Sequence, residues 1–253
     1  MRYGGNTSCV EVRCGSKRLI FDLGTGSREL GLQLLKNGSS EAHIFLTHTH
    51  LDHINGFPFF KPAYYSANRF ELWNGHLRRQ GWTLEAVLST IMQKPLFPVP
   101  LNVMHAAIAF HDFDAGEELT PFDDIRLRTA KLNHPGGATG YRIDYRGRSF
   151  AFVTDTEHVP GKPDRNILAL IDGCDVVVYD STYTDAMFER YEGWGHSTWQ
   201  EGVRLCNEAS AKRLVTFHHD PNHNDVALDD IARQLETMRP GSIVARQGME
   251  LTL

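Results

Sequence analysis

Short apolar runs recur along the chain and are separated by polar turns, a pattern that predicts β-strands. Such runs occupy Cys9–Val12, Arg18–Asp22, His43–Thr47, Ile125–Thr129, Gly140–Asp144, Ser149–Thr154, Asp175–Tyr179 and Leu214–Phe217. Apolar residues at helical spacing, with capping and stop residues, predict three helices. These cover Arg28–Lys36, Thr198–Ala209 and Val226–Met238. Strands therefore dominate, and the helices fall between groups of strands.

This order of elements predicts an α+β fold in which two sheets pack together with helices outside them. The arrangement is a four-layer αββα sandwich, formed as one domain over residues 1–253. No internal repeat and no Gly/Ser-rich or Pro-rich linker divides the chain. Residues 58–105 are the least regular part, with five prolines among aromatic residues. This segment could cover a site as a lid, or it could simply pack against the rest of the domain.

The composition is that of a soluble globular protein. Hydrophobic residues make up 41% of the 253 residues and charged residues 23%, which excludes disordered and collagen-like classes. No apolar run approaches the roughly 18–20 residues of a membrane span, and the N-terminus has no signal-peptide core. We therefore expect a cytoplasmic protein without a membrane partner. The four scattered cysteines indicate buried thiols rather than disulfides.

Histidines and a carboxylate cluster in the His-rich motif, Thr47–His53, which reads THTHLDH and directly follows an apolar run. Burying so many polar rings is costly unless they bind something. In an extended segment His48 and His50 point to the same side, and a turn into a helix at Asp52 would aim the next side chains at a neighbouring position. One segment could thus serve two metals about 3.5–4 Å apart. Imidazole and carboxylate ligands suit zinc, with manganese or iron as alternatives.

The His-rich motif resembles the first metal motif of the metallo-β-lactamase superfamily. That resemblance implies further ligands after later strands. His134, in Asn-His-Pro-Gly-Gly, matches the family's next histidine, and Asp155 matches its bridging aspartate. The last histidine matches His218, with His219 as the alternative. The resemblance covers nearly the whole chain and implies the family's four-layer fold and two metals.

The ligand roles follow from the same resemblance. One metal would be bound by His48, His50 and His134. The other would be bound by Asp52, His53 and His218. Asp155 would bridge the two metals, leaving room for a water that the metals convert to hydroxide. Asp52 could also orient this water or accept its proton.

A second motif, Gly195–Thr198, resembles the phosphodiesterase branch of the superfamily, which includes the tRNA 3′-processing endonuclease Z. In that branch the histidine, here His196, approaches the scissile phosphate, and Asp180 stands where the branch carries an acidic residue. Asp180 could hold His196 in its protonated form. Ser197 and Thr198 also suit a helix N-cap. Trp194 and Trp199 could pack the helix start or stack on a base.

Three functional hypotheses remain. The first is a phosphodiesterase acting on a small phosphodiester such as a cyclic nucleotide, as either a monomer or a homodimer. The second is a tRNA 3′-end endonuclease, but the net charge of −5 and the lack of a basic protruding arm argue against a nucleic-acid partner. The third is a non-catalytic metal-binding sensor module. The chain also starts after the branch's usual first strand and Gly-rich turn.

Overall fold

The computed structural model describes residues 2–36 and 38–253, which divide into two units. The N-terminal unit comprises Asn6–Asp114. The C-terminal unit comprises Ala115–Leu253 together with the first residues of the chain up to Gly5. In each unit, helices pack against one face of a single β-sheet. Among the described residues, no helix is both long enough and apolar enough to cross a bilayer.

The N-terminal unit contains five strands in the order β1-β2-β3-β4-β5. The first pair is antiparallel and the other neighbours are parallel. Its elements are β1 (Val10–Cys14), β2 (Lys17–Phe21), α1 (Gly26–Leu35), β3 (Glu41–Leu46), α2 (Leu51–Ile54), β4 (Arg69–Asn74), α3 (Leu84–Ile91) and β5 (Ala107–Asp112). Side chains alternate between the two faces of each strand, so that Ile44 and Leu72 enter the core beside Leu88 of α3.

Residues 58–105 are more regular than the sequence indicated, although loops and short 3₁₀ turns still join their elements. They contain β4, which lies between β3 and β5 in the sheet, and α3. Phe70 of β4 and Leu84 of α3 are buried in the core. Strand β4 and helix α3 therefore pack in the core of the unit and do not form a lid over a site. Strand β4 was missed because it has only six residues, and such a short run carries little periodic signal. The prolines on either side of it also made the segment look irregular.

The C-terminal unit contains seven strands in the order β12-β11-β10-β9-β8-β7-β6. Strands β6 to β9 form an antiparallel meander, and β9 to β12 are parallel. Its elements are β6 (Glu118–Phe122), β7 (Ile125–Leu132), β8 (Ala138–Tyr145), β9 (Arg148–Val153), α4 (Arg165–Ile171), β10 (Val176–Asp180), α5 (Asp185–Phe188), α6 (Trp199–Glu208), β11 (Arg213–Phe217), α7 (Asp225–Met238) and β12 (Ile243–Val244).

Helix α6 shows how local sequence sets an element and its packing. Its N-cap is Thr198, whose side-chain oxygen accepts a hydrogen bond from the backbone N–H of Glu201 at 3.1 Å. This bond satisfies one of the N–H groups that a helix start leaves without an intrahelical partner. Trp199 and Val203 on one face of α6 are buried against Tyr179 and Leu214 of the sheet.

Every strand and helix expected from the hydrophobic pattern is confirmed, with ends that differ by no more than three residues. The pattern missed several short elements, among them β4, β5 and α4. The cysteines are also free, as expected, and three of the four are buried.

Candidate functional site

Adjacent parallel strands bring polar residues to one edge of the N-terminal sheet. Asp22 follows β2 and the His-rich motif follows β3, its parallel neighbour. Because parallel neighbours end at the same sheet edge, the residues after them meet there. The chain then enters α2 at Leu51, so the expected turn into a helix at the end of the motif is confirmed.

The side chains of the His-rich motif cluster tightly. The ring centroid of His48 lies 4.5 Å from that of His50 and 4.2 Å from that of His53. Oδ2 of Asp52 lies 3.3 Å from Nε2 of His53. His48 and His53 are fully buried, whereas the Asp52 side chain is 41% exposed. The side chains of His48 and His50 therefore lie close together, as expected for residues that point to the same side of an extended segment.

Asp22 organises this cluster and was not recognised from the sequence. Its buried carboxylate accepts hydrogen bonds from Nδ1 of His53 at 2.8 Å and from the backbone N–H and the hydroxyl of Thr47 at 2.8 and 2.9 Å. The Thr47 hydroxyl lies 3.2 Å from Nδ1 of His48. Since a carboxylate can only accept, Nδ1 of His53 carries the proton, and Nε2 is the ring nitrogen in the ligating form.

In the C-terminal unit, polar residues again follow strands that run in the same direction. His134 comes two residues after β7, Asp155 two residues after β9, and His218 directly after β11, while Asp180 ends β10. Asp155 and His218 both have left-handed backbones, with φ of 59° and 58°. Asp and His are among the residues that occupy this region more readily than others, and such strain is often found at functional sites.

Asp155 and His218 face one another. Nε2 of His218 lies 3.7 Å from Oδ2 of Asp155, and Nδ1 of His218 lies 3.2 Å from the hydroxyl of Thr182. His219, the alternative last ligand, is in a different environment, where burial lowers its pKa to about 4. The geometry around Asp155 therefore favours His218 over His219.

His196 and Asp180 form a pair beside these residues. Nδ1 of His196 donates to Oδ2 of Asp180 at 3.0 Å, and the His196 ring stacks on that of His218 with centroids 5.0 Å apart. Potential ligand atoms of Asp180, His196 and His218 all lie within 4.8 Å of one another. The fully buried Asp180 also accepts from the backbone N–H groups of Thr156 and Thr182. The expected partnership of Asp180 and His196 is present in the structure.

The loop that carries His196 also orients His134. Nδ1 of His134 donates to the carbonyl oxygen of Gly195 at 2.8 Å. A Cβ at position 195 would lie 2.2 Å from that nitrogen, and φ of Gly195 is +86°, so only glycine fits there. Oε2 of Glu157 accepts from the N–H groups of Gly193 at 2.7 Å and Gly195 at 2.9 Å. Nothing in the local sequence indicated this role of Glu157.

The donor sets of the two units fit divalent metals. Each unit presents histidines whose Nδ1 atoms face a hydroxyl, a carboxylate or a carbonyl oxygen, so that Nε2 is the nitrogen suited to coordination. Carboxylates accompany them in both units. Mixed imidazole and carboxylate donors suit zinc and other first-row divalent ions.

A comparison with protein-family models identifies the group to which the chain belongs. The model described as a β-lactamase superfamily domain matches residues 18–219. The chain belongs to the β-lactamase superfamily. This membership agrees with the resemblance found in the sequence. The matched range includes all of the expected metal ligands. The superfamily member described here is therefore a metal-dependent hydrolase.

Individual relatives are distant but extend over almost the whole chain. A protein named ribonuclease Z from Gemmatimonas aurantiaca is 23% identical, with 97% of this chain and 90% of its own length covered. The structure of YhfI, a metallo-β-lactamase fold protein from Bacillus subtilis, matches with a TM-score of 0.71 and 17% identity over 98% of this chain and 94% of its own. A diphosphatase of the PhnP family matches with a TM-score of 0.71 and 20% identity over 98% and 84%. The metallo-β-lactamase fold expected from the sequence is thus confirmed.

Proposed function

We propose that this hydrolase is a phosphodiesterase that uses two divalent metal ions, in the first instance zinc, to cleave a small phosphodiester such as a cyclic nucleotide. The ligands proposed for one metal are His48, His50 and His134. Those for the other metal are Asp52, His53 and His218. Asp155 is the proposed bridge.

The observation that carries this proposal is the His196–Asp180 pair. A generic metallo-hydrolase needs its metal ligands, but it does not need an additional histidine held by a buried carboxylate. Because Asp180 accepts from Nδ1 of His196, Nε2 is the atom that can reach a phosphoryl oxygen or the leaving group. Gly195–Thr198 resembles the corresponding motif of the phosphodiesterase branch, and relatives named ribonuclease Z support the same bond type.

The chain's own groups have separable roles in this reaction. Two divalent ions held by these ligands would supply hydroxide at neutral pH and would polarise the scissile phosphoryl group. Asp52 orients the attacking water and takes its proton, and its partial exposure keeps it accessible to solvent. His196 donates a hydrogen bond or proton to the oxygen that gains charge, and Asp180 stabilises the cationic form of His196.

The test is turnover by the purified protein loaded with zinc or manganese. We expect cleavage of bis(p-nitrophenyl) phosphate and of 2′,3′-cyclic and 3′,5′-cyclic nucleotides, at rates that depend on metal occupancy. Metal content is measured on the same samples. A protein with full metal occupancy that turns over none of these substrates would rule out the proposal.

A tRNA 3′-end endonuclease is the second candidate, favoured by the names of relatives such as the ribonuclease Z of Gemmatimonas aurantiaca. The net charge of −5 opposes it, because tRNA binding relies on basic surface. Precursor tRNA in a gel assay distinguishes the two, since cleavage after the discriminator base at enzyme-like rates would reverse this ranking.

A further inference from the structure

Trp194 precedes the candidate catalytic histidine by two residues, and its indole is exposed. It is 63% exposed, whereas Trp199, on the other side of His196 in the sequence, is 1% exposed and packs in the core. The structure therefore separates two tryptophans that the sequence left equivalent. Trp199 has a structural role, but burial does not account for Trp194.

The backbone that presents Trp194 is fixed rather than loose. Glu157 binds the N–H groups of Gly193 and Gly195 on either side of the tryptophan. The N–H of Trp194 itself donates to the carbonyl oxygen of Tyr191 at 3.1 Å. Three hydrogen bonds, two of them to a carboxylate, thus hold this turn. A pre-organised ring loses little conformational entropy when a ligand binds to it.

Aromatic rings connect Trp194 to His196. The Trp194 ring meets Tyr191 edge to face, with centroids 5.6 Å apart, and Tyr191 stacks on Tyr183 at 4.5 Å with an interplanar angle of 7°. Tyr183 in turn lies 6.0 Å from His196. Burial raises the pKa of Tyr183 to about 12, so its ring stays neutral at physiological pH. Tyr191 and Tyr183 thus pack on one side of the indole, and most of the Trp194 surface stays exposed to a ligand.

We propose that Trp194 is the stacking platform for the nucleobase of a mononucleotide whose phosphate lies at His196. The two Cα atoms are at most about 7 Å apart, because two residues span no more than that. Both side chains therefore start from neighbouring backbone positions, and in a mononucleotide the sugar carries the base away from the phosphate in a comparable way. Every base has a π-face, so stacking on the indole selects for a base without selecting which one. This stacking site rests on the function proposed above, because it serves the same reaction. It narrows the substrate class of that reaction to nucleotides.

Equilibrium binding of a nucleotide and of its base-free counterpart tests the platform without requiring turnover. The probes are AMP and ribose 5-phosphate, titrated calorimetrically into the zinc-loaded full chain. We expect Trp194→Ala to weaken AMP binding roughly 5- to 150-fold, the range for losing one base–aromatic stack, and to leave ribose 5-phosphate binding unchanged. Trp194→Phe, which keeps a ring, should retain most of the AMP affinity. Trp82→Ala removes another exposed tryptophan (53%) and should change neither affinity.

Two results with Trp194→Ala would overturn the platform. One is AMP binding by Trp194→Ala that equals that of the unaltered protein, and the other is an equal loss for AMP and ribose 5-phosphate. An unaltered protein that does not prefer AMP over ribose 5-phosphate also counts against it. If base-dependent binding through Trp194 is present but no phosphodiester is cleaved, the proposed function fails and the base platform stands.

Discussion

Four histidines of the candidate ligand set share one hydrogen-bonding arrangement at the level of single atoms. In each, Nδ1 faces an oxygen of the protein. The pairs are His48 with Thr47, His53 with Asp22, His134 with Gly195, and His218 with Thr182. Each partner orients the ring, and the Asp22 carboxylate and the Gly195 carbonyl, which can only accept, also fix the tautomer of their histidines. These hydrogen-bond partners therefore indicate the position of a metal site as clearly as the ligands themselves do.

Asp22 offers a direct test of the hydrogen-bond partners that orient the histidines. His53 bonds to Oδ2 of Asp22 and the Thr47 N–H bonds to Oδ1, so in Asp22→Asn one of these two donors faces an NH2 group that cannot accept. We expect zinc affinity to fall about 10- to 100-fold, the usual effect of removing a histidine's outer partner. Competition with a chelator of known affinity measures this change. The control is Asp123→Asn, an exposed residue. Unchanged affinity in a folded Asp22→Asn protein would contradict the assigned role.

His196 should behave differently from a metal ligand. His196→Ala removes a group that acts mainly in the transition state, so kcat should fall about 10²- to 10⁴-fold with little change in KM. Both metals should remain bound. His48→Ala should instead lose metal together with activity.

Turnover of bis(p-nitrophenyl) phosphate and metal content are measured on the same preparations of both variants. An unchanged kcat in His196→Ala would remove this residue from the mechanism. The assignment as a phosphodiesterase would weaken with it.

At the scale of elements, the N-terminal sheet carries a polar cluster on the face opposite its helices. Nε1 of Trp73 on β4 donates to Nδ1 of His43 on β3 at 3.1 Å. His111 on β5 stacks on Trp73 at 4.1 Å and binds Glu71 at 2.6 Å. Burial lowers the pKa of His43 from 6.5 to about 4, and protonation of Nδ1 would also break its bond with Trp73.

This cluster predicts a pH dependence of stability. Because the folded state releases the His43 proton more readily than the unfolded chain, the unfolded state binds more protons between pH 6.5 and 4. The free energy of unfolding should therefore fall as the pH drops through this window and level off below it. His43→Gln, whose amide oxygen can accept from Trp73, should show a shallower fall.

Urea unfolding between pH 7 and 3.5 measures the effect. His105→Gln provides the control because His105 is exposed in the same unit and should keep the steeper dependence of the unaltered protein. Equal slopes for His43→Gln and the unaltered protein would contradict the burial argument.

At the scale of the whole molecule, both units carry parts of the candidate ligand set. A ligand that binds only the folded state stabilises it by mass action, by about 2.7 kcal/mol at a concentration 100 times Kd. For a chain of this size that corresponds to a rise in Tm of about 5–10 °C. We expect chelation to lower Tm by this amount and zinc to restore it.

Calorimetric scans of the chelated and zinc-reloaded protein measure the shift. His48→Ala is the matched variant and should show a much smaller response to zinc. The same Tm with and without bound metal would argue against a folded-state metal site.

The order of elements and the ligand-bearing motifs could be predicted from the sequence because their signals are local. Strand β3 followed by the His-rich motif, and Gly195–Thr198 opening α6, each lie within about a dozen residues. The periodicity of α6 and α7 is likewise contained in the element itself. Resemblance to a family then connected motifs that are far apart in the chain.

Other features depended on contacts between distant residues and only the tertiary structure revealed them. Asp22 binds His53 from 31 residues away, and Glu157 binds Gly193 from 36 residues away. The central position of β4 and the exposure of Trp194, as opposed to Trp199, were decided in the same way. Local patterns encode which backbone conformation a segment prefers, but hydrogen bonds and burial across long sequence separations arise only when the strands are brought side by side.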